Sequence, residues 1–187
     1  MTPFDFVSVF FSVVIGLGVS QLLSSIAQMF EYRRQVVFDW VASLWVFTIF
    51  LFLVQAWWGL WSLRTAPSWS YASFLLLVAY QGAIFLLSTL VLPRSYGGGG
   101  VSQEAHFNGV RPLFFSALAV VSIAAFLVNS LLFHQPVISG AAILPIAGTV
   151  VALSAARIGN RPYQSFVALF FAVGVIFMIL ADDTVLR

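Results

Sequence analysis

The side chains able to do chemistry in this chain are neutral and thinly spread. Gln21, Ser24, Ser25 and Gln28 are spaced three, four and seven positions apart, so a helix would put them on one face. Gln55, Gln81 and Asn129 are further carboxamides set within apolar stretches. Amides and hydroxyls donate and accept hydrogen bonds without charge, so they suit a path whose selectivity comes from dipoles and bore. The structural alternative is that each amide bonds to a neighbouring helix and contributes on the order of 1 kcal/mol or less. For the four on one face, that many polar atoms together require polar partners or water.

What is absent narrows the chemistry further. The chain has no cysteine, which excludes disulfides, thiolate metal sites and thiol catalysis. All eight basic residues are arginine, which excludes lysine Schiff bases and the lysine of a phosphate-binding loop. No Asp, Glu, Arg or His falls in the middle of an apolar stretch, although such residues are the usual parts of proton relays, voltage sensors and ion-coupled pumps. The expectation is a protein that is not an enzyme, holds no cofactor or metal, binds no nucleic acid, and gives a small solute or ion a passive or facilitated path. The rival is a non-transporting scaffold, lipid-binding or sensory module that meets partner proteins through Trp57, Trp58 and Trp61.

The bilayer is the expected solvent. Sixty-one percent of the residues are hydrophobic and seven percent charged, more apolar surface than a water-soluble core of this size could bury. The 187 residues accommodate six spans of about 20 residues each, with no room for a soluble domain. Breaks at charges, prolines and glycines place the spans near 6–29, 40–63, 70–92, 112–133, 137–156 and 163–181. "MTPFDF" has no basic region ahead of a long apolar run, so the first span is expected to be retained rather than cleaved as a signal peptide. The fold class is therefore an all-α polytopic bundle of six transmembrane helices in a single domain. Residues 93–111, with four consecutive glycines, are expected to form a flexible loop, either a tether or a gate. His106 and Glu104 in that loop have nothing to position them for acid and base chemistry.

Arginine placement orients the bundle. Arg33, Arg34, Arg94, Arg111, Arg157 and Arg161 fall in the odd loops, which predicts those loops in the cytoplasm and both termini outside a bacterial inner membrane. Arg33, Arg34, Arg111, Arg157 and Arg161 could each hold an anionic lipid headgroup, worth about 1 kcal/mol apiece, although topology alone also explains them. On the outer side Asp5, His134, Asp182 and Asp183 could converge as a cation-attracting mouth, a weak divalent site or a pH sensor. Their spacing matches no metal motif, and solvated charge at helix ends is the plainer reading.

Packing can also be read from the small residues. Ser8, Ser12, Gly16, Ser20 and Ser24 recur every fourth position in the first span, and Gly140, Gly148, Ala152 and Ala156 form a ridge in the fifth. Such ladders let helices approach closely in lipid, which puts spans one and five in the interior. Spans two, three and six then face lipid or a neighbouring copy in a homo-oligomer. "YASFLLLVAYQGAIF" from Tyr71 echoes "YQSFVALFFAVGVIF" from Tyr163, three spans apart, a pairing that a 3+3 inverted repeat would produce and that coincidence in so apolar an alphabet would also produce.

With "EYRRQVVFDW" after the first span and "VQAWWGLW" ending the second, the layout resembles an uncharacterised group of small bacterial six-span membrane proteins. That resemblance implies the fold and no activity. The bacterial potassium channels built from six-span subunits carry a Phe-Ser-Asp signature in the first helix. Here Val13 follows Phe10, Phe11 and Ser12, so that family's pore residues are not carried over.

Overall fold

Asp39, Ser70, Ser102 and Asn160 each stand one residue ahead of a helix and turn a side-chain oxygen onto its unpaired amides, which fixes where four of the helices begin. The computed structural model describes residues 3–65, 69–93, 101–134, 136 and 140–181. Its helices are α1 (Pro3–Glu31), α2 (Trp40–Ser62), α3 (Tyr71–Leu90), α4 (Gln103–Leu131), α5 (Gly140–Arg157) and α6 (Arg161–Leu180). Two short strands, β1 (Val36–Val37) and β2 (Val101–Ser102), pair in parallel. Among the described residues five helices are long and apolar enough to cross a bilayer, and α5 is shorter. At 18 residues α5 spans about 27 Å, at the lower limit for crossing the hydrocarbon layer. This is an all-α architecture consistent with a helical membrane bundle.

Successive helices run in opposite directions, and the ends near β1 and β2 will be called the strand end, the others the far end. Residues 103–111, expected in the flexible loop, are the first turns of α4. Ser102 Oγ accepts from the Ala105 amide at 3.2 Å, and Glu104 lies in the first turn, where a negative charge favours the helix. Hydropathy finds only the apolar part beyond Pro112 and misses a polar start that is set by capping. The glycine run itself lies outside the described residues.

The packing order also departs from expectation. Half of α4's apolar window is buried, against 28% for α1, so α4 is the central helix, flanked by α3 and α5. On α1 the buried face is Val7, Phe11, Ile15, Gly18, Leu22 and Ser25, while Ser12, Gly16, Ser20 and Ser24 point outward. Phe11 packs against Phe74 of α3 with ring centroids 5.7 Å apart, and Gly18 admits Leu53 of α2 so closely that an added Cβ would sit 2.9 Å from its methyl. Close approach therefore uses Gly18, one ridge away from the expected ladder. The two triplets pack differently as well, α1 chiefly on α3 and α4 chiefly on α5, so the packing lends the inverted repeat no support.

On the fifth-helix ridge Gly148 and Ala152 do face inward. Ala152 is fully buried, and a Cβ on Gly148 would meet Ser122 Oγ at 3.1 Å and the Phe171 ring at 3.3 Å. Gly148→Leu is accordingly expected to cost about 1–3 kcal/mol through overpacking. Gly16→Leu, with nothing within 4 Å, should leave the melting temperature in detergent unchanged. Equal melting shifts for the two variants would contradict this packing.

Candidate functional site

Between mid-depth and the far end, α2, α3, α4, α5 and α6 leave two adjoining cavities of about 70 and 90 Å³. Gln55 and Tyr80 line both, Gln81 and Asn129 line the larger, and Ser122 lines the smaller. The rest of the wall is apolar or aromatic, including Phe52, Leu77, Phe133, Phe171 and Met178. No charged side chain lines the space among the described residues. Thus three of the expected path residues, Gln55, Gln81 and Asn129, meet at one place.

Gln81 is the telling member. It is 1% exposed, and both Oε1 and Nε2 lack a hydrogen-bond partner. An amide buried among apolar groups without compensation costs roughly 2–7 kcal/mol, so these atoms call for water or a polar solute in the cavity beside them. Replacing such an amide with an apolar side chain of similar shape is close to neutral for folding.

The first-helix set does not reach this cleft. Gln21 Nε2 donates to Ser25 Oγ at 3.4 Å, Ser25 is buried in the bundle, Gln28 is half-buried and Ser24 is exposed. None of the four lines the cavities. The four therefore stand apart from Gln55, Gln81 and Asn129 rather than lining one space with them. Tyr80 and Ser122 are the lining residues that sequence reasoning missed. Ser122 stands seven positions before Asn129, a same-face spacing that could have flagged it.

An aromatic layer separates the cleft from the strand end. Trp45, Phe114 and Phe115 are fully buried, with centroid distances of 5.0 and 5.6 Å from the indole to the two phenyl rings, and Phe171 closes the layer from α6 at 5.6 Å.

Beyond that layer lies a polar network. Asp39 is 4% exposed, yet its carboxylate accepts from the Ala42 amide at 3.1 Å and pairs with both terminal nitrogens of Arg161. Glu104 Oε1 lies 3.6 Å from the same guanidinium. The Asp39 amide donates to Gln103 Oε1 at 2.7 Å, and Gln103 Nε2 donates to Met29 Sδ. Burial raises the Asp39 carboxyl, but the Arg161 hydrogen bonds and charge, with the Ala42 and Val41 amides, outweigh it and hold the group below the ordinary carboxylate range. His106 Nε2 sits 3.0 Å from the Leu90 carbonyl, which can only accept, so that nitrogen carries the proton. Gln164 Nε2 donates to the Ala155 and Ile158 carbonyls at 3.2 and 2.5 Å, satisfying the end of α5.

Two of the arginines expected at lipid headgroups lie against other parts of the chain. Arg161 is committed to Asp39 and Glu104, and Arg111 lies across Gly159, where an added Cβ would collide with its guanidinium. Arg33, Arg34 and Arg157 are exposed at the strand end. At the far end Asp5 and His134 are exposed, and His134 adopts the left-handed backbone at φ 52. Asp182 and Asp183 lie outside the described residues, as does Arg94. Among the described residues no group of three or more His, Cys, Asp or Glu side chains is placed to hold a metal ion. No protein-family model matches the chain, and neither a curated protein nor a solved structure is detectably similar to it.

Proposed function

We propose that this chain is a six-span protein of a bacterial inner membrane that gives a small neutral solute a passive or facilitated path. Its binding station is the cleft of Gln55, Tyr80, Gln81, Ser122 and Asn129. The observation that carries this reading is the Gln81 carboxamide, buried beside a cavity with both of its polar atoms unmatched. A neutral lining favours uncharged cargo, since a bare ion entering it would shed its water for a few dipoles and no countercharge. In this reading α5 also crosses, as the fifth of six spans, lipid bathes the outward faces, and the arginine-rich strand end faces the cytoplasm with both termini outside.

The test is flux of neutral solutes into vesicles reconstituted with the purified protein. Gln81→Leu is expected to reduce the flux about tenfold, the scale of one or two lost hydrogen bonds, while leaving the melting temperature unchanged. Absence of flux from folded wild-type protein would remove this reading. The alternative would then take its place, a non-transporting module that binds a solute or lipid and acts on partners. That alternative draws on the aromatic layer and polar network, which close the cleft towards the strand end.

A further inference from the structure

We infer that the cleft takes small neutral amides, molecules with an N–H donor and a C=O acceptor side by side, such as acetamide or urea. The inference rests on the reading of the cleft as a solute station and names the solute class. Gln81 lines the larger cavity and carries one acceptor, Oε1, and one donor, Nε2, both unmatched and both just behind the cavity surface, so a solute meets them once the side chain turns towards it. A second carboxamide answers the two at once. Its N–H donates to Oε1 while its carbonyl accepts from Nε2, closing a planar ring of two hydrogen bonds.

Other solutes match less well. A carboxylate offers only acceptors and sets one of them against Oε1, and an ammonium offers only donors and sets one against Nε2. Neither would find a countercharge, because the described lining holds no charged side chain. An alcohol presents its donor and its acceptor on a single oxygen and cannot span both atoms of the Gln81 amide in one plane. Size agrees, since about 90 Å³ corresponds to room for roughly six waters and so for a solute of a few heavy atoms. Leu77, Tyr80, Phe133 and Met178 supply apolar faces for the carbon end and the flat side of such a molecule.

Ligand-observed saturation-transfer NMR on the full chain in lipid nanodiscs tests this, with acetamide, sodium acetate and ethanol as probes. Acetamide is expected to receive saturation from the wild-type protein, and acetate and ethanol about tenfold less. Gln81→Leu should abolish the acetamide response without shifting the melting temperature, and Gln55→Met, in the same lining, should weaken it. Equal responses for acetamide and ethanol overturn the inference, as does an acetamide response that survives in Gln81→Leu, or none from the wild type, which would leave the cavity to water. Should Gln81→Leu fail to fold, the ranking of the three probes on the wild type decides alone. Acetamide binding without vesicle flux upholds this inference and removes the transport reading. Flux that ignores the amide group does the reverse.

Discussion

Asp39→Ala is expected to lower the unfolding free energy by about 2–4 kcal/mol, measured by denaturation in mixed micelles. One part is the lost helix cap, since the carboxylate accepts from the Val41 and Ala42 amides, and caps of this kind contribute about 0.5–2 kcal/mol. The other is the broken pair with Arg161. Stranding a fully buried partner costs about 3–5 kcal/mol, but the Arg161 side chain is 39% exposed, so water takes over much of its solvation and the figure is discounted. Asp39→Asn keeps an oxygen for the cap and should cost less. A double-mutant cycle with Arg161→Gln then isolates the charge pair.

The pH dependence of Asp39 carries a definite sign. Its folded-state pKa is depressed, so its contribution is fully present above the unfolded value near 3.9 and is lost as pH falls through the lower folded value. Between pH 7 and pH 5 this group should add no slope to stability. Below about pH 4 wild type should lose stability more steeply than Asp39→Asn, and parallel acid curves would show that the pair does not contribute.

Trp45→Ala is the second large effect, at about 3–5 kcal/mol. Trp45 is fully buried and is ringed by Phe114, Phe115 and Phe171. In lipid the unfolded reference is itself apolar, so the loss is one of dispersion and shape rather than of transfer out of water. Trp45→Phe should recover most of it. The same substitution opens the layer between the cleft and the strand end, so under the transport reading folded Trp45→Ala protein should pass neutral solutes faster than wild type. Unchanged or slower flux would show that this layer is not the barrier.

The helices were readable because length and hydropathy are one-dimensional. The expected segment at 40–63 is α2 at Trp40–Ser62, and that at 70–92 is α3 at Tyr71–Leu90. Rotation about each helix axis was not readable. Where lipid and neighbouring helices are equally apolar, nothing compels a small-residue face to turn inward, and on α1 bulky Phe11 and Leu22 fill the grooves while Ser12, Gly16 and Ser20 do not. Gln55, Gln81 and Asn129 stood out because intramembrane amides are few. Tyr80 did not, because one more aromatic residue in this chain carries no signal. Asp39 carried no signal at all, since its partners Gln103 and Arg161 are 64 and 122 positions away and no local pattern links them.

Those separations also set a timetable for synthesis. The carboxylate that opens α2 emerges from the ribosome about 6 to 24 s before the guanidinium that neutralises it, at 5–20 residues per second over 122 positions. Val36 and Val37 likewise wait for Val101 and Ser102 before their two rungs can form. The α1–α2 hairpin is thus made well before α6, the helix whose guanidinium neutralises the carboxylate at the start of α2.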